Sequence, residues 1–96
     1  EWWFKAAQNG DVVAMFIVGN CYDDGEGVTQ DLAKAFEWYL KSAENGDADG
    51  MNKVGCCYRD GDGVSKDLEK AHEWFTKASN NGCTEAKENL MSLGLK

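Results

Sequence analysis

Proline is absent from the ninety-six residues and histidine occurs once. Without proline, the eleven glycines must make the turns, and the commonest helix breaker is missing. Cations are scarce: ten Lys and Arg face seventeen Asp and Glu, for a net charge of −7. That excess repels phosphate backbones, which excludes a general nucleic-acid binder and argues against an anionic-membrane surface binder. No apolar run approaches the roughly 18–20 residues that cross a bilayer. One histidine and no Cys-x-x-Cys leave no zinc pattern, so neither a metal nor a cofactor is expected. What remains is 43% hydrophobic and 11% aromatic. Such a chain buries a core and is not disordered. Its length suits one compact domain or a short repeat array, not two independent cores.

Displacing the chain by 36 residues brings it into register with itself. Glu1, Trp2 and Lys5 fall on Glu37, Trp38 and Lys41, then on Glu73, Trp74 and Lys77. Asn9-Gly10 falls on Asn45-Gly46 and Asn81-Gly82. Val18-Gly19-x-Cys21-Tyr22-x-Asp24-Gly25-x-Gly27-Val28 recurs as Val54-Gly55-x-Cys57-Tyr58-x-Asp60-Gly61-x-Gly63-Val64. Asp31-Leu32-x-Lys34-Ala35 recurs as Asp67-Leu68-x-Lys70-Ala71. Self-similarity at this period is the signature of a repeat architecture.

Each period reads as two helices. The first starts after Gly10 or Gly46, capped by Asp11 or Asp47, and carries Ala14, Met15, Val18 and Tyr22 on one face. It stops at Gly25 or Gly61. The second starts near Asp31 or Asp67, whose carboxylate satisfies free N–H groups at the positive end of the helix dipole. Leu32, Ala35, Trp38, Tyr39 and Ala43 form its stripe, and Asn45-Gly46 or Asn81-Gly82 ends it. Short glycine loops between such helices force antiparallel neighbours. The reading divides the chain into four parts: 1–10, the end of a preceding repeat; 11–46 and 47–82, two full repeats; and 83–96, a capping helix. In the last, Ala86, Leu90 and Leu93 form an apolar stripe, with Glu85, Lys87, Glu88 and Asn89 opposite. The chain opens inside a repeat and has no initial methionine, which suggests a piece of a longer protein.

These residues resemble the Sel1-like repeat, a relative of the tetratricopeptide repeat. The likeness is carried by the Gly-x-Gly-Val loop and the Asp-x-x-Lys-Ala start of the next helix, each present twice at fixed offsets. It implies an all-α, right-handed α/α solenoid of antiparallel helix pairs, about 36 residues per repeat and roughly six helices. It also implies no catalysis of its own and a role as an adaptor that joins proteins. Cys83 departs from the family's usual helix opener, and the segment 87–96 lacks the Gly-x-x-Tyr signature.

Cys21 and Cys57 occupy equivalent positions, so stacking holds them about 9–10 Å apart, beyond the roughly 7 Å a disulfide spans. Cys56 and Cys57 are sequence neighbours, and Cys83 opens a helix at the other end of the layer. Four free thiols favour a reducing, cytoplasmic compartment. The endoplasmic-reticulum lumen and secretion stay open, because the native N-terminus is missing. A secreted branch of the family bridges cysteines within each repeat and is associated with penicillin binding. Here no repeat holds such a pair and no Ser-x-x-Lys occurs, so a hydrolase of that kind is the remotest alternative.

Other chemical readings are weak. Asp60-Gly61-Asp62-Gly63 and Asp23-Asp24-Gly25-Glu26-Gly27 lack the glycine and bidentate glutamate positions of a calcium loop. Gly25-x-Gly27 and Gly61-x-Gly63 follow helices and are flanked by carboxylates, unlike a phosphate cradle. His72 beside Cys56 or Cys57 could suggest a nucleophile pair, but His72 replaces Phe36 and reads as a half-exposed packing residue. Trp2, Trp38 and Trp74 recur with the period and read as packing, whereas Trp3 stands where Tyr39 and Phe75 do.

The repeats differ most along the first helix. Val12, Val13, Phe16, Ile17 and Asn20 become Ala48, Asp49, Asn52, Lys53 and Cys56. Positions that vary so freely face a groove, so the concave wall is expected to bind a peptide or helix of a partner protein. Val13, Phe16 and Ile17 anchor it, and Asn20, Asp49, Asn52 and Lys53 line the same face. The competing reading packs Phe16 and Ile17 on a preceding repeat or on the first helix, which makes this segment a structural spacer. The acidic surface predicts a neutral to basic partner.

Overall fold

A computed structural model describes residues 2–93, with the side chain of Trp2 excepted. The outer ends assigned to the first and last parts of the array therefore lie outside the described residues. The expected helices form. They are α1 (Trp2–Gln8), α2 (Val12–Asp24), α3 (Leu32–Glu44), α4 (Ala48–Asp60), α5 (Leu68–Asn80) and α6 (Thr84–Leu93). No strand occurs among the described residues.

Local chemistry sets each boundary. Asp11, Asp31, Asp47 and Asp67 adopt extended backbone, and each carboxylate accepts the N–H three residues on, at 3.0–3.1 Å. Gly25 and Gly61 then close α2 and α4 in the left-handed conformation, donating to the carbonyls of Cys21 and Cys57 at 2.8 Å. The chain returns through a backbone bond that recurs with the period. The Asp31 N–H donates to the Tyr22 carbonyl at 2.9 Å, and Asp67 repeats this on Tyr58 at 2.8 Å.

The helices pack in chain order, α1 on α2, α2 on α3 and so on to α6. The result is an elongated stack of 42 × 24 × 16 Å, a right-handed α/α solenoid. Two apolar clusters run along it. Ala7, Ala14, Met15 and Val18 make one, and Tyr39, Val54, Phe75 and their neighbours make the other. The layers are translated counterparts. Phe36 meets Tyr58 edge to face at 5.4 Å, and the Lys41 and Lys77 ammoniums each sit 4.5 Å above Trp38 and Trp74. Such cation–π contacts hold the half-buried indoles at the layer edge.

Three particulars differ from the sequence reading. His72 is exposed rather than half-exposed, since no ring comparable to Tyr58 meets it among the described residues. Asn89 does not point away with Glu88. Its amide turns inward and donates to the Asn52 side chain at 2.9 Å. Asn52 is buried, whereas Phe16, its equivalent by the period, is half-buried.

Candidate partner-binding groove

The first helices of successive layers, α2, α4 and α6, place equivalent residues side by side. Val13, Asp49 and Glu85 form one row and are all exposed, Val13 at 64%. Ile17, Lys53 and Asn89 form the next row and are half-buried. Asn20 and Cys56 follow, also half-buried. Along these rows the wall changes from apolar on α2 to charged and amide-bearing on α4 and α6.

The candidate residues do not all face solvent. Phe16 packs on the Tyr39 ring at a centroid distance of 5.8 Å. Asn52 is 3% exposed, its oxygen taken by Asn89. The two positions differ in burial: Phe16 is half-buried on a ring, and Asn52 is buried in an amide pair. Free variation at Asn52 therefore marks packing rather than an open surface. Asn20 has a similar internal duty, accepting the Tyr39 hydroxyl at 2.7 Å. Val13 and Asp49 are exposed, and Ile17 and Lys53, like Phe16, are half-buried.

Where α4 meets α6 the wall deepens into a cavity of about 280 Å³. Leu32, Ala35 and Tyr39 from α3 and Cys56 and Cys57 from α4 supply its less polar lining. Asp23, Asp60, Asp62 and Glu85 supply carboxylates, and Lys53 and Arg59 supply cations. Arg59 grips Asp60 through two bonds of 3.0 Å and lies 5.9 Å from the Phe75 ring centroid. The bonds to Arg59 hold the Asp60 carboxyl below the usual carboxylate range and raise the guanidinium in turn.

Sequence reasoning missed this constellation. It placed Asn89 on the outer face and did not bring Asp60, Asp62 and Glu85 to one cavity. One signal was readable. Asp23 becomes Arg59 at the same step in which Tyr39 becomes Phe75, a coupled change from hydroxyl-with-acceptor to ring-with-cation.

Cys56 and Cys57 are not built for nucleophilic work. Burial pushes Cys57 up to about 12, with the Asp62 charge adding to it, and burial also raises Cys56. A thiol in that state is protonated at neutral pH and reacts poorly. His72, on α5, does not line the cavity. Among the described residues no group of three or more His, Cys, Asp or Glu is placed to hold a metal ion, and no helix is long and apolar enough to cross a membrane.

Two-helix layers stacked in register define an α-solenoid repeat protein. The Sel1 repeat matches residues 1–11, 12–47 and 48–83. The chain belongs to the Sel1 repeat family, whose members are as a rule non-catalytic scaffolds for protein interactions. It is similar in structure to a Sel1 repeat protein from Oxalobacter formigenes, at 35% identity and a TM-score of 0.91 over 95% of this chain and 68% of that one. It is likewise similar to c5321, a protective antigen of uropathogenic Escherichia coli with this fold, at 35% identity and a TM-score of 0.93. That match covers 96% of this chain and 20% of the antigen. Cysteine rich protein B of Helicobacter pylori matches at 30% identity and a TM-score of 0.88, over 93% of this chain and 67% of its own. A comparison with curated proteins returns no match.

Proposed function

We propose that the chain is an adaptor segment that binds a peptide or helix of a partner protein along the concave wall of α2, α4 and α6. The observation that carries this reading is Val13, a branched apolar side chain held 64% exposed on a rigid helix. Beside it lie the half-buried Ile17 and the polar Asp49 and Lys53 of the next layer. Folding gains little from leaving a valine in water, so the site suits an apolar anchor from a partner. Asp49 and Lys53 then orient the bound segment. A net charge of −7 favours a neutral to basic partner and association that slows as salt rises.

The test uses peptides selected by phage display on the purified chain. Val13→Asp combined with Asp49→Lys should abolish their binding and leave melting unchanged, because both residues are exposed. Retained binding would place recognition on another face of the chain, and failure to select any binder would favour a spacer.

A further inference from the structure

The cavity between α4 and α6 has a composition that the apolar anchor at Val13 does not use. Once Arg59 and Asp60 are paired with each other, three carboxylates remain: Asp23, Asp62 and Glu85. They face one amine, Lys53, so the cavity keeps an excess of negative charge. They also come from three separate elements: the end of α2, the loop after α4 and the first turn of α6. Leu32, half-buried, adds an apolar patch to the same cavity, whose floor includes the buried Ala35. An aliphatic stem bearing a cation matches that arrangement, the stem on the apolar patch and the head among the carboxylates.

We propose that this cavity receives the arginine side chain of a partner segment lying along the concave wall. The proposal rests on the groove reading above and adds to it a specificity for one residue type. Arginine fits because its planar head can pair with carboxylates on different elements at once. Asp23 keeps its existing contact, accepting the Tyr39 hydroxyl at 3.3 Å, while Asp62 and Glu85 are exposed and carry the selectivity.

The experiment is a titration of the ¹⁵N-labelled chain with Nα-acetyl-argininamide, and separately with Nα-acetyl-citrullinamide, which has nearly the same shape without the charge. Arginine should shift the amides of Lys53, Cys56, Glu85 and Asn89 saturably, and citrulline should not. Asp62→Asn with Glu85→Gln should weaken arginine binding at least about fivefold, while Glu44→Gln on α3 should change nothing. Equal shifts with citrulline, absence of shifts around the cavity, or full binding by the double variant would overturn the proposal. The two readings fail separately. Loss of selected peptides on Val13→Asp with no arginine response sinks the cavity alone, and the reverse result sinks the groove alone.

Discussion

The Tyr39 hydroxyl donates to the Asn20 side-chain oxygen at 2.7 Å, and its ring packs on Phe16. One repeat later the same place holds Phe75, with Cys56 for Asn20 and Arg59 for Asp23. A buried hydroxyl requires an acceptor, and a ring without one can accept a cation at its face. The residues therefore changed as a set. Tyr39→Phe should cost about 1 kcal/mol in urea unfolding, whereas Phe75→Tyr should cost about 1–3 kcal/mol by burying an unmatched hydroxyl. Adding Cys56→Asn and Arg59→Asp to Phe75→Tyr should recover part of that loss. No recovery would show that the two layers are not interchangeable.

Gly27 and Gly63 are equivalent, with φ of 74° and 77°. A Cβ on Gly27 would meet nothing within 4 Å, but on Gly63 it would collide with the Leu32 carbonyl oxygen. Both alanine variants carry the left-handed penalty of about 1–2 kcal/mol. Only Gly63→Ala must also move backbone at the layer contact. Thermal unfolding should rank Gly63→Ala well below Gly27→Ala. Equal melting would mean that the loop does not seat on α3.

Ser42 is fully buried, and its hydroxyl donates to Asp47 at 3.0 Å. A Cβ on Gly50 would come within 2.7 Å of that oxygen. In the neighbouring layers the corresponding pairs are Ala6 with Ala14 and Ala78 with Ala86. Gly50→Ala alone should lower stability, by about 1–3 kcal/mol as an overpacked site. Ser42→Ala with Gly50→Ala should restore most of it, a non-additivity that a double-mutant cycle reads directly.

The helices were legible because their signals are local and occur twice: aspartate caps, glycine stops and a stripe with helical spacing. The site was less so. Comparing repeats finds where side chains differ, but a difference at a buried position looks the same as one at a surface. Asn52 was read as a groove residue for that reason, and only the Asn89 amide, from a helix 37 residues further on, reveals that it is covered. The Arg59–Asp60 pair on the cavity wall was hidden for another reason. Its meaning depends on Phe75 and α6, which the sequence does not place beside it.

Alkaline pH should destabilise the fold. Cys57 has a reference value of 9.0 and is raised to about 12 by burial, so the folded chain holds its proton when the unfolded chain has lost it. Burial and the Asp23 charge raise Tyr39 in the same direction. The contribution is complete below pH 9 and is lost as pH rises from there toward 12. Urea midpoints should be level from pH 7 to 8.5 and fall above that. Cys57→Ala should flatten the slope; an unchanged slope would show that Cys57 is not its source.

The outer surface of α5 is polar where that of α3 is apolar. Phe36, Leu40 and Ala43 pack into the stack, and their equivalents are His72, Thr76 and Ser79. Restoring His72→Phe, Thr76→Leu and Ser79→Ala should create a sticky layer surface. Sedimentation velocity should then show concentration-dependent association that the unaltered chain lacks at the same concentration.

Hydrogen exchange with and without a display-selected peptide bears most directly on where a partner lies. Binding on the concave wall predicts new protection in α2 and α4 amides around Val13, Ile17, Asp49 and Lys53, with α3 and α5 unchanged. Protection concentrated on α3 and α5 instead would place recognition on the opposite face and contradict the account.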